Sequence, residues 1–158
     1  MQVFDTSSIV YAWDNYPIEQ FPPLWSWVAI EISENRICMP EIAVAEVDGV
    51  SPECAQWLAD QNVTCLPMTD GILLEALRYK GILEIGTHYG GGVGENDLLI
   101  IATAKQHRVQ LVSNEASQPT LPKTKANYKM PSVCSLPDVK VACCDFLEFL
   151  RRSKAVFA

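Results

Sequence analysis

The stretch from residue 95 to residue 104 constrains the fold more than any other part of the sequence. It opens with Glu95, Asn96 and Asp97, residue types that favour the first turn of a helix, and continues as seven residues of which six are apolar. A helix that is apolar on all sides is covered on most of its surface by its own domain. Asp97 would then lie at the buried end of this helix, where an ionised carboxylate is costly unless a cation neutralises it. A bound divalent cation would explain the stretch if other acidic side chains converge on Asp97.

Short apolar segments alternate with segments of helical character along the rest of the chain. This alternation predicts an α/β fold, a three-layer α/β/α sandwich with a mostly parallel central sheet. The length of 158 residues, without a linker or an internal repeat, predicts a single domain over residues 1–158. The predicted strands cover residues 2–5, 36–40, 63–66, 109–113 and 139–143, and the predicted helices cover residues 9–13, 21–32, 41–50, 52–60, 70–81, 95–104 and 145–152.

Four acidic residues follow predicted strands or lie in the first part of predicted helices. Asp5 ends the first strand and is followed by three residues with hydroxyl groups, and Glu115 follows the strand over residues 109–113. Glu46 lies among apolar residues in a half of the chain that has few basic side chains to neutralise it. Because the carboxyl ends of parallel strands share one edge of a sheet, we expect these three carboxylates to converge with that of Asp97. Such a set predicts a site for a divalent metal ion.

Four segments, taken in order, resemble the PIN-domain nucleases. The family pattern is an aspartate ending the first strand, a glutamate in an early helix, an aspartate opening a helix of the type D-x-x-I-x-A-x-A, and an acid after the next strand. The resemblance covers essentially the whole chain and is nearest to a prokaryotic branch of uncharacterised, toxin-like PIN proteins, through residues 16–25 and 129–134. The matching segments are Val3-Phe4-Asp5-Thr6-Ser7, Pro40-Glu41-Ile42-Ala43-Val44-Ala45-Glu46, Asp97-Leu98-Leu99-Ile100-Ile101-Ala102-Thr103-Ala104 and Leu111-Val112-Ser113-Asn114-Glu115.

The resemblance implies a PIN-like fold and a metal-dependent ribonuclease with Mg²⁺ or Mn²⁺ as its cofactor. Because many PIN proteins are the toxins of toxin–antitoxin pairs, it also implies an RNA substrate, a cognate antitoxin protein as partner and a homodimer. The sequence departs from the family at the fourth position, where Glu115 replaces the more frequent aspartate. The acid that usually follows shortly afterwards is missing, and the next one along the chain is Asp138.

The resemblance also suggests a role for each residue of the site. We expect Asp5 and Asp97 to bind the main metal ion, and Glu46 to ligate it or to position the attacking water. Glu115 would complete the site directly or through water. Hydroxyl, amide and basic groups nearby would orient ligands or bind the RNA backbone, which predicts salt-sensitive binding. The substrate-binding candidates are Thr6, Ser7, Asn114, Lys123, Lys125 and Lys129, with Arg151 and Arg152 as further cations.

The charge distribution is compatible with a nucleic-acid substrate, although the net charge is −7. Residues 1–104 contain 15 acidic and three basic side chains, whereas residues 105–158 contain nine basic and four acidic ones. An acidic body with a basic flank fits a metal site beside a phosphate-binding surface. Residues 116–131, which carry three lysines, are predicted to form a long irregular loop at the sheet edge of Glu115. Ordinary solvated faces would give the same distribution of charge.

Other features of the sequence narrow the class of protein. The N-terminus lacks the basic residue and apolar run of a signal peptide, and no apolar segment approaches transmembrane length, so we expect a cytoplasmic protein without membrane association. Six cysteines without a C-x-x-C pair are predicted to be reduced thiols. Residues 90–94 are rich in glycine but lack the Gly-Lys-Ser/Thr ending of a P-loop, so we interpret them as a flexible lead-in to the site.

Two other functions remain open on this evidence. A haloacid-dehalogenase-like phosphatase also begins with a strand and an aspartate, but it needs a second aspartate where this chain has Ser7. A PIN fold that binds RNA or protein without catalysis is the other alternative. The acids have structural alternatives too, such as a helix cap for Asp97 and a buried ion pair for Glu46. Trp25 and Trp27 either stack on bases or pack in the core.

Overall fold

The computed structural model describes all 158 residues, which form five short strands, eight α-helices and a single turn of 3-10 helix at Lys125–Asn127. The strands are β1 (Gln2–Phe4), β2 (Ile37–Pro40), β3 (Thr64–Leu66), β4 (Leu111–Val112) and β5 (Cys143–Cys144). The helices are α1 (Thr6–Asn15), α2 (Pro22–Ser33), α3 (Glu41–Val50), α4 (Pro52–Asp60), α5 (Asp70–Ile82), α6 (Glu95–His107), α7 (Met130–Cys134) and α8 (Phe146–Ser153).

The five strands form one sheet in the order β3-β2-β1-β4-β5, and every neighbouring pair is parallel. In the central strand β1, Val3 lies opposite Cys38 of β2 on one side and opposite Leu111 of β4 on the other. Parallel neighbours need crossover connections, and the helices between successive strands supply them. The predicted α/β fold with a parallel central sheet is therefore confirmed, and the carboxyl ends of β1 and β4 lie side by side.

The helix predicted from the apolar stretch is α6, and it is buried as expected. Every residue from Leu98 to Ala104 lies in the interior. The helix packs along α5 and also contacts α3, α7 and β1, so it has neighbours on most of its sides. The central strand beneath it is equally enclosed, since Val3 and Phe4 have no exposed surface. A closely packed core therefore holds the helix that carries Asp97 against the strand that leads to Asp5.

The last strand is Cys143–Cys144, and its prediction over residues 139–143 was wrong. Val139 and Val141 are buried and alternate with a polar residue as in a strand, but the backbone turns at Lys140, whose φ is 50°. The amides of Val139 and Lys140 both donate to the carbonyl of Leu136 at 3.0 Å, which closes a turn. A buried turn gives the same alternation of apolar and polar residues as a strand, and this misplaced the boundary.

The segment over residues 116–131, predicted to be irregular, contains two short ordered pieces. One is the 3-10 turn at Lys125–Asn127, and the other is the start of α7 at Met130, with Pro131 in its first turn. Proline is favoured there because its missing N–H would have no partner within the helix. The prediction had treated this proline as a loop residue. Residues 116–131, called the basic segment below, are therefore anchored at their carboxyl end by helix α7.

The two tryptophans of α2 make aromatic and core contacts. Trp25 is 2% exposed, and its Nε1 donates to the carbonyl of Tyr16 at 2.6 Å. The ring of Trp27 lies against those of Phe149 and Phe157. Packing accounts for both side chains without base stacking.

All six cysteines are free thiols. None of the helices combines the length and the apolar character needed to cross a membrane.

Candidate functional site

Asp5 lies at the carboxyl end of the central strand and directly before α1. It is only 3% exposed, and its Oδ2 accepts hydrogen bonds from the hydroxyls of Ser7 at 2.5 Å and Ser113 at 3.0 Å. Burial raises the pKa of Asp5, and the hydrogen bonds from the two serines offset part of that rise. No basic side chain pairs with it. A buried carboxylate is thus held by neutral donors alone.

Two serines join the segments that follow β1 and β4. The hydroxyl oxygens of Ser7 and Ser113 are 3.3 Å apart. The backbone amide of Asn114 donates to Ser7 Oγ at 2.9 Å, and the amide of Glu115 donates to Ser113 Oγ at 3.2 Å. Both serines therefore tie the chain that carries Glu115 to the carboxylate of Asp5. Ser7 was among the predicted site residues, whereas Ser113 was missed, although its place between a strand and Asn114 is visible in the sequence.

Asp97 is the third residue of α6, and its Oδ2 accepts a hydrogen bond from the backbone amide of Gly94 at 2.8 Å. The side chain therefore helps to cap the helix, which is the structural role that the sequence left open for Asp97. Burial raises the pKa of Asp97 to about 6, and the Gly94 hydrogen bond offsets part of the rise. Three other carboxylates raise it further, those of Asp5, Glu115 and Glu46. The structure thus brings the four acids close enough to repel one another.

Glu46 projects from α3 and is half-buried. Its Oε1 accepts a hydrogen bond at 3.0 Å from the hydroxyl of Thr6, which also lies 3.3 Å from the carbonyl of Ala43. The ion pairs of the molecule all involve Arg36, Arg78 or Arg152, so Glu46 has no basic partner. The alternative of a buried ion pair at Glu46 is not supported. Thr6 instead links this carboxylate to the first turn of α1, directly after Asp5.

Glu115 follows β4 and is half-buried. Burial raises its pKa, repulsion from Asp5 and Glu46 adds to the rise, and the ammonium of Lys129 lowers it. Lys129, one of the predicted RNA-binding lysines, therefore lies close enough to Glu115 to stabilise its negative charge. It is also half-buried, directly before α7. The acidic cluster, defined here as Asp5, Glu46, Asp97 and Glu115, therefore has one cation at its border.

The other predicted substrate-binding residues lie further from the acidic cluster or have structural partners. Lys123 and Lys125 are exposed and form no ion pair. Asn114 Oδ1 accepts a hydrogen bond from the amide of Phe146 at 3.0 Å, which ties it to the start of α8. At the other end of α8, Arg152 pairs with Glu148, while Arg151 is exposed without an ion pair.

The glycine-rich segment before α6 docks on the basic segment. Val93 donates its amide to the carbonyl of Tyr128 at 2.9 Å, and the amide of Gly91 donates to Asn127 Oδ1 at 3.0 Å. A Cβ atom at Gly92 would lie 2.2 Å from that same Tyr128 carbonyl oxygen, so a side chain has no room there. The close approach explains the glycine in physical terms. It also fixes the chain on the amino side of Asp97 next to the chain that carries Lys129.

The donor set of the acidic cluster fits a hard divalent cation by its chemistry. It consists of carboxylate oxygens, and three of its members, Asp5, Asp97 and Glu115, have raised pKa values. Lys129 is the only basic side chain that lowers any of these values. As placed, however, no three His, Cys, Asp or Glu side chains form a group that could hold a metal ion. Enclosing a cation would therefore require side-chain movement.

A known family and a solved structure match this chain over nearly its full length. The model of the family described as "Domain of unknown function (DUF4411)" matches residues 2–157. The crystal structure of FitAcB from Neisseria gonorrhoeae is similar in fold, with a TM-score of 0.50 and 16% sequence identity over 90% of this chain and 96% of that chain. No curated protein matches the sequence. Together with the sheet topology, these matches support the PIN-like fold that the sequence resembles.

Proposed function

We propose that this chain, which belongs to the DUF4411 family, is a divalent-metal-dependent endoribonuclease that hydrolyses phosphodiester bonds of RNA. The observation that carries the proposal is the gathering of four carboxylates at one edge of the sheet, none of them in an ion pair; burial and the other three carboxylates raise the pKa of Asp97 to about 6. Gathering four acids at one sheet edge costs the fold electrostatic repulsion. A bound cation removes that repulsion, and the chain places no arginine there and only Lys129 at the border. The acidic cluster is therefore built for a ligand of positive charge.

We propose Mg²⁺ or Mn²⁺ as the cofactor, held by Asp5 and Asp97, with Glu46 and Glu115 as further ligands or as ligands through water. When bound, such an ion supplies charge for the phosphate oxygens and lowers the pKa of a coordinated water. Three of the four carboxylates are already oriented by the chain through one of their oxygens: Asp5 by the two serines, Glu46 by Thr6, and Asp97 by the Gly94 amide. For Asp5, Glu46 and Asp97 the second oxygen is thereby left available to a ligand.

We propose that the basic side chains near the acidic cluster bind the RNA. Lys129, near Glu115, would contact a phosphate group that approaches the acidic cluster, and the exposed Lys123 and Lys125 would extend the contact along the RNA backbone. Ser7 and Thr6 act as positioning residues for Asp5 and Glu46. The resemblance to PIN-domain toxins supports a role as the toxin of a toxin–antitoxin pair in the cytoplasm. A cognate antitoxin and a second copy of the chain are the proposed protein partners.

The test is cleavage of a mixed single-stranded RNA by the purified protein with Mg²⁺, with Mn²⁺ and with EDTA. The proposal expects cleavage that requires a metal and is lost in Asp97→Asn. An asparagine can still accept the Gly94 hydrogen bond through its Oδ1, so the start of α6 should be preserved. Glu95→Gln is the matched control, because Glu95 is exposed at the first position of the same helix and loses the same charge. This variant should cleave as the wild type does.

The outcome also separates the nuclease from a PIN fold that only binds. Metal binding seen by calorimetry without cleavage would indicate a narrow substrate or a missing partner. Absence of both cleavage and metal binding would reject the nuclease and favour the binding module. The phosphatase alternative has no support at position 7, where the Ser7 hydroxyl donates to Asp5.

A further inference from the structure

A charged cavity opens at the sheet edge opposite the acidic cluster. It has a volume of about 460 Å³ and is lined by the end of α6 and by the residues that lead into β4 and β5, namely residues 104–105, 108–110 and 140–142. The acidic cluster lies where strands β1 and β4 end, whereas this cavity lies where β4 and β5 begin. The two sites are therefore separated by the length of the sheet, and the cavity is no part of the nuclease site.

All charged side chains that line this cavity are basic. They are Lys105, Arg108 and Lys140, and no acidic side chain lines it. Lys105 Nζ donates to the carbonyl of Val139 at 2.6 Å, which fixes its position. Arg108 and Lys140 are exposed and form no ion pair. Two cations without partners thus face one cavity in a protein whose net charge is −7.

The backbone at these two cations is unusual. Arg108 has a φ of 56° and Lys140 a φ of 50°, both in the left-handed region that favours glycine or asparagine. Of the four other left-handed positions, two are asparagine, Asn35 and Asn62, and the other two are Glu84 and Lys154. A basic residue at the end of α6 is favoured by the helix dipole, which explains Arg108 in part. This argument does not apply to Lys140, which belongs to the turn before β5.

We propose that this cavity, lined by Lys105, Arg108 and Lys140, binds a phosphate group. Arginine and lysine from two separate segments offer charge-assisted hydrogen bonds, and no acidic side chain lines the cavity to oppose a dianion. The remaining lining consists of Gln110 and four apolar residues, Ala104, Val109, Val141 and Ala142, which leave room for the organic part of a phosphate ester. Inorganic phosphate, a nucleotide and the RNA backbone all supply this chemistry.

The test is titration of the whole protein in EDTA with three probes, by calorimetry and by amide chemical shifts. The probes are inorganic phosphate, uridine 5′-monophosphate and an RNA oligonucleotide with hydroxyl groups at both ends. EDTA removes any phosphate binding through a metal at the acidic cluster, so the result is independent of the nuclease proposal. We expect saturable binding of at least one probe with shifts at Arg108 and Lys140, and the probe that binds identifies the source of the phosphate.

The structure offers closely matched variants for this test. Arg108→Asn and Lys140→Asn remove a charge at positions whose backbone suits asparagine, so both proteins should fold. Lys154→Asn is the control, because Lys154 also has a left-handed backbone, with a φ of 58°, and lies outside the cavity. We expect each cavity variant to weaken binding about tenfold and the control to leave it unchanged. Equal weakening by Lys154→Asn, or no saturable binding of any probe, would overturn the proposal.

Discussion

The two ends of the strands in the central sheet carry opposite charges: the carboxyl ends carry the acidic cluster, and the amino ends carry the basic cavity. The two sites are built differently. At the carboxyl edge, the members of the acidic cluster are at least partly buried, and hydroxyls and a backbone amide hold three of them. At the amino edge, Arg108 and Lys140 are exposed and have no partners. Buried charge of one sign raises the free energy of the fold unless a ligand neutralises it, whereas exposed charge is screened by solvent. We therefore expect a positively charged ligand to stabilise the acidic edge, and the basic edge to be stable without a ligand.

The largest expected effect is on the activity of the acidic edge. Asp5→Asn should reduce metal-dependent RNA cleavage by about 10²–10³-fold, or about 3–4 kcal/mol, because it removes a charged oxygen ligand. The same substitution should stabilise the protein in EDTA, because it removes a buried charge. Cleavage kinetics test the expected loss of activity, and urea unfolding of the same preparation tests the expected gain of stability. A variant that lost stability in EDTA as well as activity would show that Asp5 is a structural residue.

The second largest expected effect is on stability, and it tests the close packing of Gly92 against Tyr128 near the acidic edge. Gly92→Ala should lower the free energy of unfolding by about 2–3 kcal/mol, since its Cβ would lie 2.2 Å from the Tyr128 carbonyl oxygen. Gly86→Ala is the control in the same connection, because a Cβ at Gly86 meets nothing within 4 Å. Urea unfolding of both variants measures the difference. Equal stability of the two would mean that the glycine-rich segment is free to move away from Tyr128.

The pH dependence of stability should reveal the uncompensated acids. The folded-state pKa of Asp97, about 6, lies above its ordinary value of 3.8, so the folded protein binds this proton more tightly than the unfolded chain. The free energy of unfolding in EDTA should therefore fall as the pH rises from 3.8 to about 6, by about 2 kcal/mol. Asp5 and Glu115 act in the same direction.

Variants and metal ions provide the controls for this pH profile. Asp97→Asn should make the fall smaller, leaving the contributions of Asp5 and Glu115, and Glu95→Gln should leave the profile as in the wild type. Saturating Mn²⁺ should also remove the fall, because the ion competes with the proton for the same carboxylate. A profile that is flat without metal would contradict the mutual repulsion of the four acids.

The smallest expected effect lies at the basic edge. Lys140→Asn should raise the free energy of unfolding by about 0.5 kcal/mol, because asparagine tolerates the left-handed backbone better and no ion pair is lost. Lys123→Asn, an exposed lysine without a left-handed backbone, should change stability less. Thermal unfolding compares the two. A loss of stability in Lys140→Asn would mean that this lysine makes a favourable contact that offsets its backbone conformation.

Much of the fold followed from local patterns. The unbroken apolar run after Asp97 predicted a buried helix, and the alternation of short strands and helices predicted a parallel sheet; both are confirmed. The order of strands and helices also placed four acids at one edge, because parallel strands end on the same side. Their roles in metal binding and catalysis stay predictions. These inferences depend on periodicity and topology, which a sequence records directly.

What could not be predicted depends on contacts between distant segments. The Ser113 hydroxyl acts on Asp5 across 108 positions of the chain, and no local pattern announces such a pair. The docking of the glycine-rich segment on Tyr128 is equally non-local. The turn at Lys140 was missed for another reason, since the alternation of Val139 and Val141 suits a strand until the backbone dihedral is known. Side-chain partners and buried turns are thus set by tertiary packing.

The docking of the glycine-rich segment on Tyr128 connects the acidic cluster to the chain that carries the lysines. The peptide that donates to Tyr128 is followed at once by Gly94, whose amide anchors Asp97. Movement of the chain around Tyr128 would therefore shift Val93 and Gly94 and, through the Gly94 amide, the carboxylate of Asp97. A protein that bound the exposed Lys123 and Lys125 and moved the chain around Tyr128 would therefore inactivate the site without covering any of the four acids. The segment that we propose to bind the RNA backbone is thus linked, through Val93 and Gly94, to a carboxylate of the acidic cluster.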